Sequence, residues 1–522
     1  MPASSPRLHS SLTNLELERT LERIAPRELI EMQPQARFPS TREAVFRHAL
    51  VREAVYRTLT DDDRSVGHRL AGEWLEQAGE SDPVLLAEHF ARGKAPALAA
   101  NWFHRAAEQA LAGNDYRGVI DRVKRAIECG AGGRELGALR LHEAVAHGLL
   151  GNLPQALDAS LAAMELLPRS EEAWFRAAGE AIACLGRHAD RDGLVALTER
   201  VRDEAERGPV HAAAITALSR AIIPLLLHGA EPVAIGTLAR AREMLAACSE
   251  VDLLTRAQFA EADAEMGFTR NDLGGSIASS EVALAAWETL GQTRDLAAAL
   301  ATAAATMMMV DPMRGFELCE RSRRLAKGLG AQRVIAWAAL ASGQVDCELG
   351  RLESAEQHAR VAIELYSTQG NRYFEVNART LLARLHLLNC RNEEALVEAR
   401  RASEALPDGL LPRSVALALQ ARALLRLGRL DEARMASKAA YELAFERAQG
   451  EMLESAFIAH SEIAWASGDA ALGRNVACEA LGYYDAMVET LGREDWVRVF
   501  RARPVYRELV RLAGDASGEI LS

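Results

Sequence analysis

The chain has 522 residues, of which 49% are hydrophobic and only 5% aromatic, and its 61 basic and 73 acidic side chains give a net charge of −12. So few aromatic residues argue against a β-sandwich or a β-barrel. The acidic balance argues against a nucleic acid or an anionic membrane as the main partner.

The cysteines and the N-terminus predict the compartment. The seven cysteines are scattered and none forms a Cys-x-x-Cys pair, which is typical of reduced thiols buried in a core. The first 30 residues contain no apolar segment of the kind a secretory signal needs. The longest weakly polar stretch, 15 residues between Asp295 and Asp311, is too short for a bilayer, which takes about 20 residues. We therefore expect a soluble, cytoplasmic protein.

The N-terminal segment, residues 1–60, differs from the rest of the chain. Pro34 and Pro39 interrupt any long helix, because proline lacks the N–H that a helix interior requires. Residues 43–46 have the composition of a short strand, and the pattern that follows predicts a helix over residues 46–59.

Two helix starts are predicted next. Thr60 and Asp63 have the spacing of a capping box, in which each side chain accepts from the other residue's backbone N–H, before a helix over residues 64–77. Asp82 and Pro83 predict a further helix, with Asp as N-cap and Pro at the first helical position.

This part of the chain resembles a known junction. Residues 46–56 read Phe-Arg-His-Ala-Leu-Val-Arg-Glu-Ala-Val-Tyr, and the strings at 68–75, 86–90 and 102–107 continue the pattern. Together they resemble the region where a winged-helix element meets helical repeats in bacterial STAND-class (AAA-like) signalling ATPases. The resemblance covers about residues 38–130. It implies the C-terminal sensor half of such a protein, residues 1–60 being a winged-helix remnant. In that family such modules often follow a serine/threonine protein kinase or a nucleotide cyclase domain.

The catalytic motifs of that family are missing from this sequence. A P-loop needs Gly-x-x-x-x-Gly-Lys-Ser/Thr to hold phosphates, whereas the nearest string, at residues 91–95, lacks the first glycine and the hydroxyl. The kinase motifs His-Arg-Asp, Asp-Phe-Gly and Val-Ala-Ile-Lys do not occur either. We therefore carry over neither the kinase nor the ATPase activity.

An internal repeat governs the remainder of the chain. Ten small residues, each about five positions after a turn residue that is often Gly, recur at intervals of 37 to 41 residues. They are Gly118, Ala156, Gly193, Ala234, Gly275, Gly315, Ala355, Ala395, Ala433 and Gly473. The spacing predicts about ten stacked helix hairpins.

The unit around Gly350 shows the expected hairpin. Helices over residues 334–349 and 354–366 are joined by a turn in which Gly350 adopts a positive φ at no steric cost. Some units end in a proline, as at Pro168 and Pro407, which cannot continue a helix. One hairpin cannot bury its apolar stripe alone, so neighbours stack and share a core. The small residue near each second helix start lets the two helices approach closely.

The Gly-x-Leu-x-x-Ala string at residues 350–355 and 428–433 resembles tetratricopeptide (TPR) repeats, although the period exceeds the 34 residues that are standard there. The fold class is therefore predicted to be all-α, an α-solenoid of TPR-like hairpins. The predicted domains are the junction at 1–60, linking helices at 61–112, the repeat superhelix at 113–495, and a cap and tail at 496–522.

Apparent catalytic and metal motifs are better explained as structure. His142 and His147 are five residues apart, which places them about 140° apart around a helix, so both cannot bind one zinc ion. Residues 274–276 lack the Gly-x-Ser-x-Gly frame of a hydrolase and predict a helix–helix turn with an N-terminal hydroxyl. We predict no catalytic, cofactor-binding or metal-binding residue and no cofactor.

Three further groups are assigned to the core or the solvated surface. The methionines at 307–309 and 313 are expected to fill the core, the alternative being a soft metal site or a peptide groove. The basic cluster at 321–324 is expected on a solvated helix face rather than at a phosphate. Four tryptophans are expected in the core rather than stacked on a ligand: Trp174, Trp287, Trp337 and Trp465.

Two functions remain open at this point. The first is a non-catalytic interaction and sensor scaffold that binds a protein or peptide partner, or a small effector, on its superhelix. The second is the regulatory part of a split or truncated kinase–ATPase protein, working with those domains as partners. DNA binding through the winged-helix remnant is disfavoured by the net negative charge.

Overall fold

The computed structural model describes residues 14–25, 28–39, 41–188, 190–248, 250–406, 410–447 and 453–514. These residues fold almost entirely into helices and divide into two compact units, Met1–Leu167 and Pro168–Ser522. The predicted all-α class is confirmed. The Pro407 stop, residues 1–13 of the predicted junction and residues 515–522 of the predicted tail lie outside the described residues.

The first unit combines a small β-hairpin with helices. Its elements are α1 (Asn14–Ile24), β1 (Ile30–Met32), β2 (Ala44–Phe46), α2 (Ala49–Thr58), α3 (Asp61–Gln77), α4 (Pro83–Arg92), α5 (Pro96–Ala112), α6 (Tyr116–Glu128), α7 (Gly133–Leu150) and α8 (Leu153–Leu166). Strands β1 and β2 pair antiparallel, with Ile30 opposite Phe46. Strand β2 confirms the strand predicted at residues 43–46.

The two predicted helix starts are present. The Thr60 side chain accepts from the backbone N–H of Asp63 at 3.2 Å, and the Asp63 carboxylate accepts from the N–H of Thr60 at 3.3 Å. Helix α3 consequently begins at Asp61, three residues before the predicted start. Asp82 accepts from two backbone N–H groups in the first turn of α4, where Pro83 is the first helical residue.

The second unit consists of helices only among its described residues. They are α9 (Glu172–His188), α10 (Arg191–Arg207), α11 (Ala212–Leu227), α12 (Glu231–Ala247), α13 (Leu253–Thr269), α14 (Leu273–Leu290), α15 (Thr293–Met307), α16 (Pro312–Leu329), α17 (Gln332–Glu348), α18 (Leu352–Thr368), α19 (Arg372–Leu388), α20 (Asn392–Ala405), α21 (Leu411–Arg426), α22 (Leu430–Arg447), α23 (Leu453–Ala466), α24 (Ala470–Thr490), α25 (Glu494–Ala502) and α26 (Pro504–Ala513).

The helices from α5 to α24 pair as ten antiparallel hairpins, each an odd-numbered helix followed by an even-numbered one. Every one of the ten small residues lies in the first turn of an even-numbered helix, which confirms the predicted hairpin period. At Gly315 a Cβ would lie 3.2 Å from the carbonyl oxygen of Ala304 on the preceding helix. Close helix–helix approach therefore requires the small residue there.

The turn between paired helices needs one residue with positive φ. Gly350 and Gly428 supply it, with φ of 72° and 77°. Gly113 does not, because Asn114 takes the left-handed conformation in its place, with φ of 59°. In the turn between α19 and α20, which has no glycine, Cys390 adopts a φ of 57°. The weaker repeats thus keep the backbone geometry after losing the glycine.

The solenoid of the second unit curls back on itself. The backbone N–H of Gly274, at the start of α14, donates to Thr490 Oγ1 at the end of α24 over 3.0 Å. Arg503, between α25 and α26, forms an ion pair with Glu348 at the end of α17. One continuous apolar core includes residues from α13 to α26. We call this set of contacts the closure; it makes the inner face of the unit a bounded space.

The burial of the cysteines tests a further expectation. None of the cysteines forms a disulfide, but only Cys184, Cys319 and Cys347 are buried, and two others, Cys390 and Cys478, are exposed. The expectation of thiols buried throughout was wrong, because a solenoid of small hairpins has much surface per residue.

Among the described residues, no helix has both the length and the apolar character needed to cross a bilayer.

Candidate binding groove

The second unit contains a cavity of about 500 Å³ on its inner face, which we call the inner groove. Its walls are odd-numbered helices, from α11 to α23, together with the last turn of α18 and the turn between α18 and α19. These are the first helices of successive hairpins, so the repeat itself places them side by side. The volume lies within the range of about 300–1,000 Å³ that is usual for ligand sites.

An aromatic cluster forms one wall of the inner groove. The Phe374 ring lies 5.5 Å from that of Trp337, 5.4 Å from Tyr366 and 5.3 Å from Tyr373. Asn371 caps α19 by accepting from the Phe374 N–H, which fixes Tyr373 and Phe374 in the first helical turn. Trp337 Nε1–H donates to Thr302 Oγ1 at 3.1 Å. Interlocked rings of this kind offer a rigid apolar surface.

Glu265 on α13 lines the same groove. Burial raises the pKa of its carboxyl group above the ordinary value, and no positive charge offsets that effect. The pKa of Tyr373 is raised as well, first by burial and then by the Glu265 charge. Both shifts favour the uncharged forms of these two hydrogen-bonding groups.

Two positively charged side chains also line the groove, Arg294 on α15 and Arg333 on α17. Neither guanidinium forms an ion pair with a described residue, and both side chains are exposed to the water of the groove. The surrounding protein lowers the pKa of Arg333, and the charges of Arg187 and Arg294 lower it further. The like charges of the two arginines suit an anionic group, and the Asp295 carboxyl beside Arg294 offsets part of their charge.

Glu348 and Arg384, by contrast, are already paired. Arg384 Nη2 lies 3.3 Å from Glu348 Oε1, and Arg503 Nε lies 3.4 Å from Glu348 Oε2. Burial alone would raise the pKa of Glu348, but the two guanidinium groups hold it below its usual value. The contact joins the groove wall directly to the closure.

The groove has the composition of a binding site. The described lining residues include no histidine, so a Ser–His or Cys–His pair cannot be assembled from them. What they offer is aromatic surface, two carboxyl groups with a raised pKa, Glu265 and Asp295, and two exposed arginines. Those groups can hold and orient a ligand that is apolar in part and acidic in part.

The groove contains residues that the sequence assigned to the core. Trp337 is half-buried and lines the groove, which corrects its assignment; Trp174 and Trp287 are core residues as expected. Trp465 is 36% exposed, with its Nε1–H donating to the carbonyl oxygen of Leu512. Aromatic residues on the inner face and in the core have the same helical spacing, so spacing alone does not distinguish them.

The methionine expectation holds in part. Met307, Met308 and Met309 are buried, while Met313 is 51% exposed and does not fill the core. Met308 also borders the inner groove. The run Met307–Met309 ends α15 and leads into the turn before α16, so it lies at the turn within one hairpin.

The remaining motifs lie where surface or turn residues are expected. Arg321 and Arg323 are exposed and pair with Glu288 and Glu320, so the basic cluster is a solvated face. Residues 274–276 begin α14, but its cap is the Asp272 carboxylate, which accepts from the Gly275 N–H at 2.9 Å, rather than a hydroxyl.

His142 and His147 do not share a site in the first unit. His147 Nδ1 lies 3.3 Å from the Asn152 side chain, whereas His142 lies beside His104 and Glu108 of α5. No sequence motif joins His104 to His142, since the two residues belong to different hairpins.

The architecture is an all-α solenoid of TPR-like hairpins. No family model matches the sequence, and no curated protein matches it. Among solved structures, the chain is similar to a Rap protein complexed with competence and sporulation factor, with 14% identity and a TM-score of 0.48, over 66% of this chain and 98% of that one.

Two more solved structures are similar to a comparable degree. The apo form of RapI has 16% identity and a TM-score of 0.43, covering 68% of this chain and 97% of that chain. NprR in complex with its cognate peptide NprX has 11% identity and a TM-score of 0.45, covering 65% and 98%. At these identities and TM-scores, the likeness carries no argument about what this chain binds.

Proposed function

We propose that the protein is a non-catalytic binding and sensor scaffold of bacterial signal transduction, which holds a peptide, a short segment of a partner protein or a small effector in the inner groove. The observation that carries the proposal is the joint presence, in one bounded cavity, of an aromatic wall and two arginines that form no ion pair with any described residue. Stacked hairpins suit this role because they present a continuous concave surface.

The proposed ligand carries an acidic group and an aromatic or branched apolar group. A carboxylate placed between Arg294 and Arg333 forms charge-assisted hydrogen bonds and relieves the repulsion between them. The apolar group packs against Trp337 and Phe374, where burial of ring surface supplies most of the affinity. Glu265 donates a hydrogen bond to the ligand when its carboxyl group is protonated and accepts one when it is ionised.

Peptide selection followed by calorimetry tests this proposal. A random heptapeptide library is selected on the immobilised protein, and the recovered peptides are measured by isothermal titration against wild type, Arg333→Ala and Trp337→Ala. Arg324→Ala, which removes an exposed arginine outside the groove, is the matched control. We expect acidic peptides with aromatic residues, and affinity at least about tenfold weaker in the two groove variants, or about 1.4 kcal/mol.

Two results contradict the proposal. One is a set of selected peptides that bind Arg333→Ala and Trp337→Ala as tightly as wild type, with circular dichroism showing that both variants are folded. The other is ATP hydrolysis that copurifies with the chain through successive chromatography steps and is lost in groove variants, since it contradicts the absence of catalysis.

A second candidate is regulation of a kinase or STAND-type ATPase domain, in cis or in trans. It is supported by the resemblance at residues 46–56 and by apolar side chains exposed on β2, α2 and α3. Leu50 is 84% exposed, Leu70 56% and Trp74 48%, and no residue of α2 is buried. An apolar surface of this kind is typical of a site that a partner covers.

Copurification tests the second candidate. The tagged chain is expressed with an ATPase or kinase domain encoded beside its gene, and complex formation is compared between wild type and Leu50→Glu. Met435→Glu, at a 69% exposed position in α22, is the control. Loss of the complex in Leu50→Glu alone supports the candidate, and equal recovery with both variants contradicts it.

A further inference from the structure

The first unit brings two histidines and a carboxylate together at one point. His104 and Glu108 are four residues apart on α5, so both side chains leave the same face of the helix. His142 comes from α7, the first helix of the next hairpin, which packs against α5. The side chains of His104 and His142 are only 22% and 19% exposed, while that of Glu108 is 57% exposed.

The ligand atoms of the three groups converge on one point. His104 Nε2 and His142 Nε2 lie 3.7 Å and 3.9 Å from the same oxygen, Glu108 Oε1, which is longer than a hydrogen bond. The imidazole ring centroids are 5.5 Å apart, and one ligand atom from each residue lies within 4.8 Å of the others. Two imidazole nitrogens therefore face one carboxylate oxygen across a small gap.

Along both His–Glu edges, that gap is slightly wider than a tetrahedral metal site. Zn²⁺ takes imidazole nitrogen at about 2.0–2.1 Å and carboxylate oxygen at about 2.0–2.2 Å. Ligand atoms at such distances lie roughly 3.3–3.5 Å apart in a tetrahedron. The two His–Glu distances exceed this by a few tenths of an ångström, which small side-chain rotations of the exposed Glu108 can remove.

We propose that His104, Glu108 and His142 form a site for a divalent transition metal of the Zn²⁺ class. Two imidazoles and one carboxylate supply three protein ligands, and water completes the fourth position. Such nitrogen and oxygen donors favour zinc and its neighbours over magnesium or calcium, which prefer oxygen alone. The ion links α5 to α7 and so clips two successive hairpins together.

Metal titration of the full-length chain tests this site. The protein is treated with a chelator under reducing conditions and desalted, and Zn²⁺ binding and melting temperature are measured by calorimetry and thermal denaturation. Co²⁺ is titrated in parallel, because its visible absorption reports a tetrahedral site with nitrogen ligands. The variants are His142→Ala and Glu108→Gln, and His147→Ala, one turn further along α7, is the matched control.

We expect wild type and His147→Ala to bind one more equivalent of Zn²⁺ than His142→Ala, and to melt at a higher temperature with the metal than without it. Glu108→Gln should bind that equivalent at least tenfold more weakly; its exposed position leaves folding intact even if His142→Ala fails to fold. Any Zn²⁺ bound by the free cysteines is the same in wild type and in the variants, so it cancels when they are compared. Equal Zn²⁺ stoichiometry and affinity in wild type and Glu108→Gln would overturn the proposal.

Discussion

Arg503 Nε lies 3.4 Å from Glu348 Oε2, and both side chains are almost fully buried, at 3% and 6% exposure, although 155 residues separate them. Glu348 ends α17 and lines the inner groove, whereas Arg503 joins α25 to α26. The ion pair therefore connects the wall of the groove to the C-terminal helices. A ligand that moves α17 must also act on this contact.

Removing the arginine should weaken the closure. In Arg503→Gln, the Glu348 carboxylate stays buried with Arg384 as its remaining partner, so we expect a loss of about 2–3 kcal/mol, less than when a buried charge loses its only partner. Hydrogen exchange should become faster in α25 and α26 before other helices. Urea denaturation and exchange mass spectrometry measure both effects. Arg507→Gln, at an exposed position of α26, should leave both unchanged.

Adding one methyl group at Gly274 should separate α14 from α24. A Cβ there would lie 2.0 Å from the carbonyl oxygen of Thr490, and backbone must shift to make room for it. We expect Gly274→Ala to cost about 1–3 kcal/mol of unfolding free energy.

Gly482 is the matched control for that substitution. It lies inside α24, where a Cβ meets nothing within 4 Å, so alanine should stabilise the helix by up to about 1 kcal/mol. The two effects have opposite signs, and thermal denaturation separates them. A Gly274→Ala variant as stable as Gly482→Ala would mean that α14 and α24 do not meet.

Stability should depend on pH through Glu261. Burial raises the pKa of this carboxyl from 4.5 to about 7, against the hydrogen bond that it accepts from Trp287 Nε1–H at 3.0 Å. The folded state therefore binds more protons than the unfolded state between pH 4.5 and about 7. The free energy of unfolding falls as pH rises through that window, by up to about 3 kcal/mol.

Glu261→Gln keeps an acceptor for Trp287 and cannot ionise. We expect it to be more stable than wild type above pH 7, by about 1–3 kcal/mol, and to show a shallower fall in stability between pH 5 and pH 8. Urea denaturation across this range measures the slope. Glu199→Gln, at an exposed position of α10, should keep the slope of wild type. A wild-type slope in Glu261→Gln would show that Glu261 ionises normally in the folded state.

The turn at Cys390 carries avoidable strain. Its φ of 57° is the conformation that Gly350 and Gly428 adopt in the corresponding turns, and side chains make it unfavourable. Glycine relieves that strain but makes the unfolded chain more flexible, so we expect Cys390→Gly to stabilise by roughly 0.5–1 kcal/mol. Cys478→Gly, inside α24, should instead destabilise. Melting temperatures of the two variants distinguish a turn effect from loss of a thiol.

The repeat could be predicted because its causes are local. Small residues such as Gly315 and Ala355 mark helix–helix contacts within one hairpin, and Gly350 marks its turn. The closure could not be predicted, because Gly274 and Thr490 meet only after five further hairpins have accumulated their rotation. Small changes in the angle between hairpins decide whether a solenoid closes, and no short motif encodes them.

The candidate site escaped prediction for a similar reason. Trp337 has the helical spacing of a core residue, and only its position on the first helix of a hairpin turns it to the groove. Arg294 and Arg333 are ordinary surface arginines in sequence, and become a pair only when α15 and α17 lie side by side. A useful signal was available, since first helices of hairpins line the concave side of a solenoid.

Hydrogen exchange with a selected peptide bound tests the central claim most directly. An acidic, aromatic peptide recovered on the protein is added at saturation, and amide exchange is compared with the free chain. We expect slower exchange in α15, α17 and α19, which carry Arg294, Trp337 and Phe374, and also in α26 through Arg503. Protection confined to the outer, even-numbered helices, with no change in α15, α17 and α19, would contradict it.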